Sequence, residues 1–126
     1  MKHRYNAHRA LPAPIIPIRL ALPGQRFATR VLSALVDSGA DFVIVPERIL
    51  LRLRSEEANY IRLRGQWSET LEMALHVLDI EIEGRRFPSI DVVADDKENE
   101  IILGRNLLNK LVITLNGPKQ ELEITL

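Results

Sequence analysis

The chain has 126 residues, with 17 basic and 17 acidic side chains and a formal net charge of zero. That is enough for one domain with one core, and it leaves no electrostatic footprint for nucleic acid or an anionic membrane surface. Cysteine is absent, which excludes a disulfide framework, a thiolate metal site and a cysteine nucleophile. No apolar run approaches the roughly 18 residues of a membrane-spanning helix. The polar opening, residues 1–8, lacks the apolar centre of a signal peptide, so a cytoplasmic protein is the expectation.

In chain order, residues 1–14 are polar and basic and end in Leu11-Pro12-Ala13-Pro14. Nothing in them is periodic, and they are expected to form a flexible or extended arm ahead of a domain spanning residues 15–126. Residues 15–22 read as a strand in which Pro17 cannot donate to a ladder, a signal for an edge position. Pro23-Gly24 turns the chain, and residues 26–36 return as a second strand that delivers Asp37 at its end. Phe42-Val43-Ile44-Val45 suits a short buried strand, and Pro46 followed by Glu47 opens a brief helix through Leu53. Residues 60–64 and 70–77 read as two strands joined at a projecting tip, Gly65-Gln66-Trp67-Ser68-Glu69.

Alternation then places Leu71, Met73, Leu75 and Val77 on one face, whereas Ile80 and Ile82 fall in the opposite phase. A period-2 pattern changes phase only by an extra residue, so a bulge is expected near Leu78 or Asp79. Glu83-Gly84-Arg85 turns the chain into residues 87–93, and Asp95-Asp96-Lys97-Glu98-Asn99-Glu100 reads as a solvated loop. Ile101-Ile102-Leu103 is a second buried strand, ending at Gly104, and residues 105–111 carry apolar positions at helical spacing. Residues 112–115 and 120–126 flank Asn116-Gly117, the signal for a hairpin with a type I′ turn. The pattern predicts an all-β domain with one or two short helices.

Chemistry concentrates in Ala34-Leu35-Val36-Asp37-Ser38-Gly39-Ala40-Asp41, where an apolar strand runs directly into an acid, a hydroxyl and a glycine. By itself Asp37-Ser38-Gly39 is equally an ordinary turn. Other chemistries find less support. His3, His8 and His76 show no metal-ligand spacing, Ser33, Ser38 and Ser68 lack a nucleophile elbow, and Gly24, Gly39 and Gly65 are too isolated for a phosphate-cradling loop.

A second block, Ile101-Ile102-Leu103-Gly104-Arg105-Asn106-Leu107-Leu108, follows in the order expected for a known family. With these two anchors, residues 15–115 resemble the retropepsins, the single-lobe aspartic proteases of retroviruses and their cellular and bacterial relatives. The resemblance implies a small closed acid-protease barrel, one lobe per chain. Peptide hydrolysis of this kind needs two carboxylates on one water, so it also implies a homodimer in which Asp37 faces its symmetry mate and no cofactor or metal takes part.

The substrate implied is an extended, apolar-flanked polypeptide segment. In the roles carried over, Ser38 hydrogen-bonds across the dimer axis and Gly39 directs its N–H toward the acids. Ala40 and Asp41 line the cleft, with Asp41 paired to Arg105. Val43, Ile102 and Leu103 are expected as wall residues. Gly65 and Gln66 are expected to bind substrate backbone from the flap, and Trp67 either covers the bound peptide or is a core or interface residue. The flap departs from the viral pattern in having one glycine where those enzymes have several. The rival expectation is a catalytically silent dimerisation or peptide-binding module with the same fold.

Overall fold

The computed structural model describes residues 1–27, 29–64 and 69–126. In chain order the described elements are β1 (Lys2–Arg4), β2 (Ile15–Ala21), β3 (Leu32–Val36), β4 (Val43–Pro46), α1 (Glu47–Leu53), β5 (Asn59–Arg64), β6 (Thr70–Ile82), β7 (Arg85–Asp95), β8 (Ile101–Leu103), α2 (Arg105–Leu108), β9 (Val112–Asn116) and β10 (Glu121–Thr125). The fold is mainly β, built on a closed six-stranded barrel. Its strands run β2–β3–β8–β4–β7–β6, and β6 pairs back onto β2 to close the ring, while β5 extends outward from β6. Closure leaves the ring without the unpaired edges that open sheets must protect.

Strand alternation sets the core. Ile16, Ile18 and Leu20 of β2 point inward and are buried, with Arg19 outside. They meet Val43, Val45, Leu78, Ile80, Val92 and Leu103 in one cluster. Pro17 does not mark an edge strand, because β2 is paired on both sides. The Pro14 carbonyl accepts from Val36 N at 2.9 Å and Leu20 N donates to the Thr29 hydroxyl at 2.9 Å, so even-numbered residues direct their polar groups to the β3 side. Pro17 therefore points its nitrogen the other way, just ahead of the β6 pairing that begins at Arg19. No ladder bond is lost there.

The same Thr29 hydroxyl explains why β3 is only five residues long, shorter than the strand expected from residue 26. Opposite the end of β2, a side chain takes the amide that a longer β3 would have paired. The preceding loop is held by Asp79. The β6–β7 register slips between Leu78 and Ile80, at the predicted bulge, and this leaves Asp79 buried at 2 % exposure. Its Oδ2 accepts from Gly24 N at 2.9 Å and Arg86 Nε at 2.7 Å, and its Oδ1 accepts from Ser89 N at 2.8 Å.

A tight two-residue turn occurs at Glu83-Gly84, whose φ values of 52° and 78° suit the type I′ class between the paired Ile82 and Arg85. Asn116-Gly117 does not form one. The closing N–H of such a turn would belong to Pro118, which has none. Instead the loop runs to Gln120, whose N–H reaches Gly117 O at 3.0 Å and whose φ is 51°. β9 and β10 nonetheless pair as a hairpin. The expected arm is extended and partly ordered by pairing: Lys2–Arg4 forms β1 on the outer side of β10, and His3 Nε2 meets Glu83 Oε1 at 2.8 Å. Leu122 and Ile124 carry this terminal sheet into the barrel core. The second helix is one turn, Arg105–Leu108, rather than the run to Leu111 suggested by spacing, because the chain tightens to three-residue hydrogen bonds through Lys110 and Leu111.

Candidate active site

The site is built where β3 ends. β3 runs parallel to β8, with Ala34 beside Ile101, Leu35 beside Ile102 and Val36 beside Leu103. β8 is also flanked on its other side by β4 through the antiparallel pair Ile44 and Ile102. The chain therefore leaves β3, crosses a place later filled by β8, and re-enters the sheet as β4. Residues 37–42 form that crossing, at the end of the barrel where β8 runs into α2.

Asp37 stands at the first position of the crossing. Its backbone N–H donates to Leu103 O at 3.1 Å, and its carbonyl accepts from Ala40 N at 3.2 Å, folding a tight turn. The carboxylate Oδ1 accepts from Gly39 N at 2.9 Å. A Cβ at position 39 would lie 3.1 Å from that oxygen, so glycine allows the close approach. Oδ2 has no hydrogen-bond partner among the described residues, and the side chain is half-buried. Ser38 is exposed, and its carbonyl is held from the far side by Arg105 Nη1 at 2.7 Å.

The Gly104-Arg105-Asn106 segment locks the crossing from three directions. A Cβ at Gly104 would overlap the Phe42 backbone, lying 2.8 Å from its nitrogen, so the two chains touch main chain to main chain. Arg105 N donates to Ala40 O at 2.8 Å and Asn106 N to Asp41 O at 3.1 Å. The Arg105 guanidinium adds Asp41 Oδ1 to its bond with Ser38 O, a forked brace across the loop. Asn106 uses both ends of its amide, accepting from Val43 N at 2.9 Å and donating to Asp91 O at 2.7 Å.

The structure thus brings Asp37, Ser38, Gly39, Ala40, Asp41 and Arg105 into one loop system. Val43 and Leu103 lie elsewhere in the layering: both are fully buried in the core and expose no surface to a peptide. Ile102 alone of the three expected wall residues keeps partial exposure. Gly65, Gln66 and Trp67 lie outside the described residues. The strands that lead to them, β5 and β6, pair as far as Arg64 and Thr70.

Two contributors are not evident from residue type alone. Asn106 looks like a helix residue in sequence, yet its side chain is a cross-link among the loop, β4 and β7. Phe42 matters through its backbone, which no side-chain pattern reveals. Among the described residues no group of three or more His, Cys, Asp or Glu side chains is arranged to hold a metal ion, and no helix is long and apolar enough to cross a membrane. The arrangement offers a carboxylate whose Oδ2 accepts no hydrogen bond from the described residues, in a loop braced by Arg105, beside an exposed hydroxyl and an exposed glycine. No protein-family model and no curated protein matches this chain.

Proposed function

We propose that the chain is one half of a cytoplasmic, homodimeric aspartic endopeptidase of the retropepsin kind. The observation that carries this reading is the setting of Asp37: its Oδ1 accepts from the Gly39 N–H, its Oδ2 accepts nothing from the described residues, and the loop that follows it is braced by Arg105 and Asn106. One carboxylate cannot act as acid and base at once, and a second copy supplies the other.

In the proposed dimer the two Asp37 carboxylates face one water and share one proton, because two like charges brought into close contact do not ionise together cheaply. The ionised member takes a proton from a water as the water attacks the scissile carbonyl. The protonated member donates to the developing oxyanion, so charge is stabilised where it forms. The proton then passes to the leaving nitrogen, and the products separate as a carboxylic acid and an amine. Ser38 faces its counterpart near the axis, and Arg105 keeps Ala40 and Asp41 in place along the cleft. Ile102 contributes an apolar surface to an extended peptide bound by strand-like backbone pairing.

Incubation with a mixed peptide library at mildly acidic pH tests the reading. The native chain is expected to cut at apolar-flanked sites, with activity falling steeply on dilution as the dimer dissociates. Asp37→Asn is expected to lower the rate by at least about a thousandfold while unfolding within about 1 kcal/mol of the native protein. Cleavage that survives the substitution defeats the assignment. A dimer that cuts nothing supports the silent-module alternative.

A further inference from the structure

Two grooves flank α1 at the end of the barrel away from Asp37. Arg26, Arg52 and Arg54 border the larger, of about 870 Å³, whose apolar surface includes Leu22, Leu53 and Val77. Arg30, Arg48 and Arg52 border the smaller, of about 550 Å³. Arg52 and Leu53 line both, which joins them across the last turn of the helix. Among the described lining residues five arginines therefore converge, in a protein of zero net charge, with Glu56 the one acid.

These cations are exposed and are not neutralised from within. Among the described residues Arg26, Arg30, Arg52 and Arg54 enter no ion pair, and Arg48 donates to the Asn99 side-chain oxygen at 3.2 Å rather than to a carboxylate. Arg54 is also held in a costly conformation. It ends α1 at φ 58° and ψ 34°, where helices ordinarily finish on glycine, and Ser55 N closes the cap on Leu50 O at 3.0 Å. The chain accepts a side chain where glycine is easier, and that side chain is a guanidinium at the groove.

The topology separates this surface from the Asp37 loop. β4 is antiparallel to β8, which is parallel to β3, so α1 begins at the end of the barrel where β3 starts, and Asp37 lies where β3 ends. A strand of this length spans roughly 15 Å. No residue of the Asp37 loop or of Gly104-Arg105-Asn106 lines either groove.

We propose that the paired grooves dock a polypeptide segment of a partner protein in which carboxylates alternate with aliphatic side chains. Guanidinium forks match carboxylates in a two-point geometry, and the aliphatic floor rewards a ligand that brings apolar groups with its charges. A nucleic acid fits less well. Among the described residues the lining includes no aromatic ring on which a base would stack, and the chain as a whole has no cationic excess.

The inference does not rest on peptidase activity, and its test uses the full chain carrying Asp37→Asn, so that failure of one reading is distinguishable from failure of the other. A fluorescent decapeptide alternating glutamate and leucine is titrated and followed by anisotropy. It is compared with a lysine-for-glutamate version, a glycine-for-leucine version and a single-stranded oligonucleotide. The acidic-aliphatic peptide is expected to bind best, with affinity falling as salt rises. The double change Arg26→Glu with Arg52→Glu is expected to weaken it by roughly tenfold or more. Arg54→Gly, which retains the helix cap, is expected to bind more weakly with no drop in melting temperature, separating a docking role from a structural one. No detectable binding, equal binding of any comparator, or affinity unchanged in the double variant would overturn the proposal.

Discussion

Gly104 and Asp37 sit on facing sides of the same loop and fail differently when changed. Asp37 contributes one hydrogen bond that asparagine can also accept, so its substitution is read in chemistry. Gly104 is in main-chain contact with Phe42, and any Cβ there must push the loop outward. Gly104→Ala is expected to destabilise by about 1–3 kcal/mol in urea unfolding and to speed amide exchange at Ala40 and Asp41. Two buried polar residues, Asp79 and His76, contribute to the response to acid. Burial opposes ionisation of Asp79, but the Gly24 and Ser89 N–H groups and the Arg86 guanidinium outweigh it and hold the carboxyl below its ordinary 3.8. Its contribution is complete above that value and is lost as pH falls through the lowered one. Burial pushes His76 below its ordinary 6.5, with Glu57 and Glu47 partly opposing. The Ser55 hydroxyl lies 2.7 Å from its Nδ1. The folded state therefore favours neutral imidazole, and stability is full above 6.5 and declines as pH drops toward the lowered value. His76→Gln is expected to remove that slope, checked by urea midpoints at about pH 5 and about pH 8. Neither residue was legible as special beforehand: a lone histidine and a lone aspartate in a strand acquire meaning only from the neighbours that surround them.

At the scale of elements, the strained end of α1 is the clearest case. Arg54→Gly removes a side chain from the left-handed region and is expected to raise stability by about 1 kcal/mol, seen as a higher melting temperature. The helix itself was readable because its signals are local: Pro46 opens it, and Ile49, Leu50 and Leu53 fall on one face and are buried. The slip in β6 was readable for the same reason, since a period-2 pattern that changes phase demands an extra residue wherever it occurs. The length of β3 was not, because it ends where the Thr29 hydroxyl takes Leu20 N. That bond depends on two strands already lying together. The Asn116-Gly117 turn was misjudged from its dipeptide although the reason for its failure, Pro118, stands next to it in the sequence.

For the whole molecule, closure of the barrel and attachment of the terminal sheet are the organising facts. β1 joins β10, whose Leu122 and Ile124 reach the core, so the first residues act as a strap. Deleting residues 1–4 removes a short ladder and the His3–Glu83 contact and is expected to cost about 1–3 kcal/mol, measured as a lower urea midpoint. Composition had suggested a loose arm there, because the polar residues of a pairing strand carry no periodic apolar signal of their own. The linear order of residues was sufficient for the class of fold, the phases of the strands and the helix after Pro46, since each is a local pattern of apolar period or turn chemistry, whereas the meeting of the acid-bearing loop with the later Gly-Arg-Asn block was expected only from a family resemblance. It could not say that Arg105 reaches back 67 positions to the Ser38 carbonyl, that Val43 and Leu103 are enclosed while Ile102 is half open, or that five arginines gather around one helix. Those follow from which strands become neighbours when the ring closes, and neighbours distant in sequence are chosen by the packing of the entire core rather than by any segment alone.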